Sequence, residues 1–148
     1  MFGLFHIINE YNTGVAYKDI TVNTVDKVMI KTGCIHILKY LKYRHEPQIV
    51  CSFNGPQIAA KHGLFDVLRW LGNYTKRETH YAAINGHLHI VQWLCTKGYL
   101  INAFTANKVA ARGHLNILKW LYETYNISCT ELGAISAAKN SHIEVVQW

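Results

Sequence analysis

The groups in this 148-residue chain that could do chemistry are nine histidines, four cysteines and nine carboxylates. Cys34, Cys51, Cys95 and Cys129 lie far apart with no C-x-x-C pair, and no secretory signal precedes them, so they are expected to be reduced thiols. His87 and His89 are two residues apart. On a helix they would point to different faces and could not chelate together as an i, i+4 pair does. The carboxylates do not recur as close pairs suited to acid–base work. The glycines are scattered singly, with no phosphate-cradling loop. Asn73-Tyr-Thr75 and Asn126-Ile-Ser128 have the form of glycosylation acceptors and are read as incidental in an intracellular chain. No catalytic, cofactor-binding or metal-ligating residue is assigned, and an enzyme is not expected.

What does recur is cationic and aromatic, and it recurs because one phrase is repeated. A small residue is followed by apolar residues two, four and five positions on, then usually by an aromatic at seven and leucine at eight. It reads Gly33-Cys-Ile-His-Ile-Leu-Lys-Tyr-Leu41, Gly63-Leu-Phe-Asp-Val-Leu-Arg-Trp-Leu71, Gly86-His-Leu-His-Ile-Val-Gln-Trp-Leu94 and Gly113-His-Leu-Asn-Ile-Leu-Lys-Trp-Leu121. A fainter copy starts at Gly3, and Ser141-His-Ile-Glu-Val-Val-Gln-Trp148 is a copy without its leucine. The anchors therefore stand at 3, 33, 63, 86, 113 and 141. Such a period marks stacked supersecondary units, each leaning on its neighbours.

The apolar spacing makes each phrase the second helix of a unit, entered by a tight turn in which the anchor glycine takes positive φ. A shorter first helix precedes the anchor. Ala60, Ala83, Ala110 and Ala138 stand three residues before it, and Ala59, Ala82 and Ala137 four before, so helices can approach closely there. Met29 and Ile30 replace them in the earlier unit, which is expected to pack more loosely. The aromatics Tyr40, Trp70, Trp93, Trp120 and Trp148 are expected to bury against the next unit. The histidines after the anchor, His87, His114 and His142, are expected to stabilise the turn.

The phrase Ala-Ala-x-x-Gly-His-Leu-x-Ile-Val-x-Trp-Leu, at Ala82 to Leu94, resembles the ankyrin repeat. Its Trp-Leu ending and short step are similar to the divergent ankyrin repeats of giant viruses of amoebae. The resemblance implies an all-α, ankyrin-like helix-turn-helix solenoid with the first helices on its concave side. The usual Thr-Pro-Leu-His start is missing, Arg77-Glu-Thr-His80 and Phe104-Thr-Ala-Asn107 standing in its place, and the units are short. Shortened or absent β-hairpin fingers are therefore expected, and finger-tip binding residues do not carry over. One array over 1–148 is read as a partial repeat at 1–23, repeats at about 24–53, 54–75, 76–102 and 103–129, and a truncated repeat at 130–148.

With reduced fingers, the residues just before each anchor become the candidate partner-binding row: Lys31, Lys61, His62, Asn85, Arg112, Lys139 and Asn140. A second basic row, Lys39, Arg69 and Lys119, would lie on the second helices. The net charge of +6 favours an acidic partner. The resulting expectation is a non-catalytic protein-interaction scaffold without cofactor or metal, binding a protein on its concave face. A structural part of a larger array is the alternative, and nucleic acid is the weaker partner, arginine being scarce. No stretch reaches the ~18 uninterrupted apolar residues of a membrane span. An intracellular, cytoplasmic location is expected, in a host cell if the chain is viral. Val145, Val146 and Trp148 lack a covering leucine, so end-to-end self-association is a further expectation.

Overall fold

A computed structural model describes residues 54–148. The partial repeat at 1–23, the repeat at 24–53, and with them Lys31, Lys39, Tyr40, Cys34 and Cys51, lie outside the described residues. Eight helices follow: α1 (Gly55–Lys61), α2 (Phe65–Leu71), α3 (Lys76–Ile84), α4 (Leu88–Thr96), α5 (Ala103–Ala111), α6 (Leu115–Tyr125), α7 (Glu131–Lys139) and α8 (Ile143–Gln147). No strand occurs among the described residues. The units are linked by residues 72–75, 97–102 and 126–130, where β-hairpin fingers would otherwise stand.

These residues fall into two compact bodies. One holds 54–59 and Leu64–Asn73; the other holds Ala60–Gly63 and Tyr74–Trp148. In the first, α2 buries Val67 and Leu68, and Leu64 N–H closes on the Ala59 carbonyl at 2.9 Å. The second carries three complete helix pairs. In it α5 packs against both α3 and α7, and each of α3, α5 and α7 packs against the helix that follows it.

The pairs are built alike because the anchor turn is built alike. Gly63, Gly86 and Gly113 have φ of 73°, 84° and 76°, and Ser141 follows them at 62°. A left-handed residue just past a helix lets the next N–H reach back to the carbonyl five residues earlier. His87 N–H bonds Ala82 O at 2.9 Å, His114 N–H bonds Val109 O at 3.2 Å, and His142 N–H bonds Ala137 O at 2.9 Å. Each of these histidines also opens the following helix, so one residue ends the first helix and starts the second. Asn73 and Asn126, the asparagines of the two acceptor-like triplets, are left-handed at 56° and 53°, a conformation asparagine tolerates better than most residues.

The first helices begin on three different caps. Thr75 and Glu78 form a reciprocal capping box on α3, which accounts for a carboxylate only 3% exposed. Asn102 caps α5 by accepting from Thr105 N at 3.0 Å. Thr130, at the head of α7, is held from the neighbouring helix: Asn107 Oδ1 of α5 accepts from Thr130 N at 2.8 Å.

Comparing sister positions shows which way each residue faces. Ala83 and Ala110 are fully buried, whereas Ala138, at the same place on α7, is exposed. Val91 and Leu118 are 0% exposed, whereas Val146, their counterpart on α8, is 48% exposed. Both rows therefore pack on the following unit. Ala82, Val109 and Ala137 stay at 0% in all three pairs, so that row packs inside its own pair or on the preceding one.

The tryptophans depart from expectation. Trp93 and Trp120 are half-buried, and the core belongs to Ile90, Val91, Leu94, Ile117, Leu118 and Leu121 instead. Trp93 meets Tyr74 edge-on at 5.0 Å from the loop entering its own pair, with Lys97 Nζ 5.0 Å from its ring centre. Trp120 meets Tyr125 of its own helix at 5.5 Å, and Trp148 meets Tyr122 of the preceding pair at 5.9 Å.

Candidate interaction face on the first helices

Histidine is the residue type most open to a chemical reading, and its geometry here is structural. The His87 ring lies over Gly63, His114 over Gly86 and His142 over Gly113. Each ring thus covers the anchor of the preceding pair, which demands glycine there for space as well as for φ. His87 Nε2 stands 3.0 Å from Lys61 O and His114 Nε2 stands 3.2 Å from Ile84 O. A carbonyl can only accept, so both rings carry their proton on Nε2. In the third turn the Asn140 amide takes that role, donating to Ala111 O at 2.8 Å. These side chains do not cap their own turns; they clip one pair to the next.

Other potential chemistry is equally absorbed. Cys95 is 3% exposed and burial pushes its thiol up to about 11, so it is protonated and unreactive at neutral pH. Cys129 is half-buried. The described residues contain no group of three or more His, Cys, Asp or Glu placed to hold a metal ion.

The residues expected to bind a partner fall into two groups. Lys61, His62, Arg112 and Lys139 are exposed at the ends of their first helices. Asn85 and Asn140 have committed their amides: Asn85 Nδ2 donates to Tyr81 O at 2.8 Å, and Asn140 clips two pairs together. The cations do not all share one position relative to the anchor. Lys61 and Lys139 stand two residues before their anchors, Arg112 one before, and Ile84 and Ala111 interrupt the line.

A more continuous surface lies one and two turns earlier on the same helices. Phe104 on α5 is 62% exposed, Leu132 on α7 is 70% and Ile135 is 43%. Phe104 belongs to a pair flanked on both sides, so its exposure is not that of an end. Its counterparts Arg77 and Leu132 are exposed too, which makes this a solvent-facing register along α3, α5 and α7. The ring has two neighbours on this face. His80 of α3 stacks on it at 6.3 Å with planes 7° apart, and Lys108 Nζ, one helical turn on, lies 5.6 Å from its centre.

His80 is itself fixed. Its Nδ1 stands 2.9 Å from Thr105 Oγ1, which in turn donates to Asn102 Oδ1 at 3.1 Å. That hydroxyl's hydrogen is committed, so His80 donates from Nδ1. Burial, and then the Lys108 charge, hold His80 below the ordinary histidine range, so the ring is neutral at pH 7. Next along the face, Asn107 ties α5 to Thr130, and Gly133 leaves room for it, since a Cβ there would come within 2.7 Å of Asn107 Oδ1.

Sequence reasoning missed Phe104, Leu132 and Ile135. Phe104 and Leu132 share a register with Arg77, and Ile135 shares one with His80 and Asn107, so no repeated letter marks either. The available signal was a large apolar residue in the first turn of two first helices, outside the alanine rows.

No helix among the described residues is long and apolar enough to cross a membrane. Comparison with curated proteins and with solved structures gave no match. The family model for ankyrin repeats matches residues 57–131 in three copies, half of the chain. That match spans the anchor turns at Gly63, Gly86 and Gly113 and the helices around them, and the chain belongs to the ankyrin-repeat family.

Proposed function

We propose that this chain is a non-catalytic interaction module that binds a protein on the exposed face of α3, α5 and α7. Ankyrin repeats are in general protein-interaction modules. The observation that carries the reading is Phe104: a large ring 62% exposed in a flanked pair, with His80 stacked beside it and Lys108 over it. Interface anchors are typically aromatic residues whose order is already established before binding. Lys61, His62, Arg112 and Lys139 supply a polar rim at the helix ends, while Asn85 and Asn140 act by holding the turns. We take this face as the concave side that the resemblance implies. The Trp-Leu ending supports a viral chain acting on a host protein inside the cell.

The test is capture from nuclease-treated cell extract on the immobilised chain, beside a Phe104→Ser/Leu132→Ser variant and a Lys61→Ala/Arg112→Ala/Lys139→Ala variant. Proteins retained by the parent and lost by the first variant support the module. Identical capture by all three removes this face from consideration. A second reading, structural assembly, is favoured by Ile143, Val146 and Trp148, which are 63%, 48% and 46% exposed at one end of the second body. Self-association there would raise the sedimentation coefficient with concentration, and Val146→Asp would abolish the rise.

A further inference from the structure

Three features of the second body remain outside the family fold's own needs: the Tyr74–Trp93–Tyr99 cluster, the apolar end at α8, and the Phe104 face. In the aromatic cluster Tyr74 already meets Trp93 at 5.0 Å and Tyr99 at 6.4 Å. The apolar end shows no charge or shape that would select an occupant. The Phe104 face does.

Its exposed charges are mostly positive, with Glu131 beside Leu132 the one exposed carboxylate on these first helices. Across α1, α3, α5 and α7 there are only two carboxylates, Glu78 and Glu131. Glu78 is 3% exposed and turned into its capping box with Thr75, so it contributes nothing to the surface. Glu131 stands at the head of α7. Against it, Lys76, Arg77, Lys108, Arg112 and Lys139 are all exposed on α3, α5 and α7 or at their ends. Between these cations lie Phe104, Leu132 and Ile135. An apolar strip with five exposed cations around it and a single exposed carboxylate, Glu131, is complementary to apolar side chains flanked by carboxylates.

We propose that this face takes an acidic segment of another protein that carries large apolar side chains. The apolar groups seat on Phe104, Leu132 and Ile135, and the carboxylates meet Arg77, Lys108 and Lys139. The proposal rests on the interaction-module reading and narrows it to one partner chemistry. Lys108 has a double part, since it lies 5.6 Å from the Phe104 ring centre and can meet a carboxylate at the ring's edge. His80, which stacks on the same ring, positions Phe104 and brings no charge at neutral pH. Nucleic acid fits less well. Bases need aromatic platforms in series, whereas two of the three large apolar groups here are aliphatic and the one ring is already stacked by His80.

Fluorescence anisotropy with the full chain tests this. The probe is a short fluorescein-labelled peptide of Glu and Leu, with Gln-for-Glu and Ser-for-Leu versions and a labelled single-stranded DNA as comparisons. The Glu/Leu peptide is expected to bind saturably and to lose at least about fivefold in affinity with Phe104→Ser and with Lys108→Gln, as removal of an anchor does. Lys119→Gln, in the basic row of the second helices, is expected to change nothing. Circular dichroism and melting establish that each variant folds. The proposal is overturned if the Glu/Leu peptide fails to bind, if the Gln or Ser version binds as well, if Phe104→Ser and Lys119→Gln behave alike, or if the DNA binds more tightly. Should the peptide fail while capture from extract still depends on Phe104 and Leu132, the partner chemistry is wrong and the module reading stands.

Discussion

Glycine at the anchor answers two demands that can be separated by substitution. Gly86 and Gly98 both have positive φ, 84° and 88°. A Cβ on Gly98 would meet nothing within 4 Å, whereas one on Gly86 would come within 2.8 Å of His114 Cε1. Alanine at Gly98 therefore incurs only the left-handed backbone cost, about 1–2 kcal/mol. Alanine at Gly86 is expected to cost more, because the ring that clips two pairs together must also move. Chemical denaturation of the two variants checks this, and a Gly86→Ala/His114→Ala cycle should be strongly non-additive. The same histidine gives the fold a pH dependence. His114 is held below its ordinary range by burial, then by Arg112, His142 and His87, with the Ile84 carbonyl pulling the other way. His80 is lowered by burial and Lys108. A folded-state pKa below the unfolded value means that the unfolded chain takes up protons first. The stability these neutral rings contribute is present above the unfolded value of 6.5 and is lost as pH falls below it. Melting temperature should therefore drop as pH falls below 6.5, and His114→Gln should flatten that drop even if it lowers stability at neutral pH.

At the scale of the helix, position in the repeat predicts burial better than residue type does. Val91 and Val146 are the same amino acid at the same register, yet they are 0% and 48% exposed. Val91→Ala removes two methyl groups from a filled interior and is expected to cost about 2–3 kcal/mol. Val146→Ala should stay within about 0.5 kcal/mol, as surface changes do. Similar losses from both would mean that α8 is covered as fully as α4. These elements were largely legible beforehand. The anchor glycines announced the turns, the alanine pairs announced close helix approach, and the period announced the pairing. Three things were not legible. The histidines were recognised as structural, but their partners lie 26 and 30 residues upstream, a relation set by stacking that no local pattern contains. Tryptophan, the largest apolar residue, was placed in the core, and the aliphatic residues beside it in the phrase fill that core instead. Phe104, Leu132 and Ile135 escaped because a helical period says which residues share a side and not whether that side meets a neighbour or water.

At the largest scale described, the stacked pairs of the second body distribute stability unevenly, since each pair borrows it from its neighbours. In the second body α5 is packed between α3 and α7, while α8 is five residues long and buries only Val145. Native-state hydrogen exchange should accordingly be slowest at Ile117, Leu118 and Leu121 of α6 and at Val109 and Ala110 of α5, all 0% exposed, and fastest through α8. A single opening free energy shared by α5, α6 and α8 would mean that the pairs unfold as one cooperative block. The same experiment distinguishes the two ways this chain could meet a partner. An acidic, apolar segment seated on Phe104 slows exchange in α3, α5 and α7 and leaves α8 fast, because those helices present the face. Association through the exposed Ile143, Val146 and Trp148 instead slows α8 first, and does so with rising protein concentration in the absence of any peptide. Protection that spreads from α5 outward therefore supports the face, and protection that starts at α8 supports assembly.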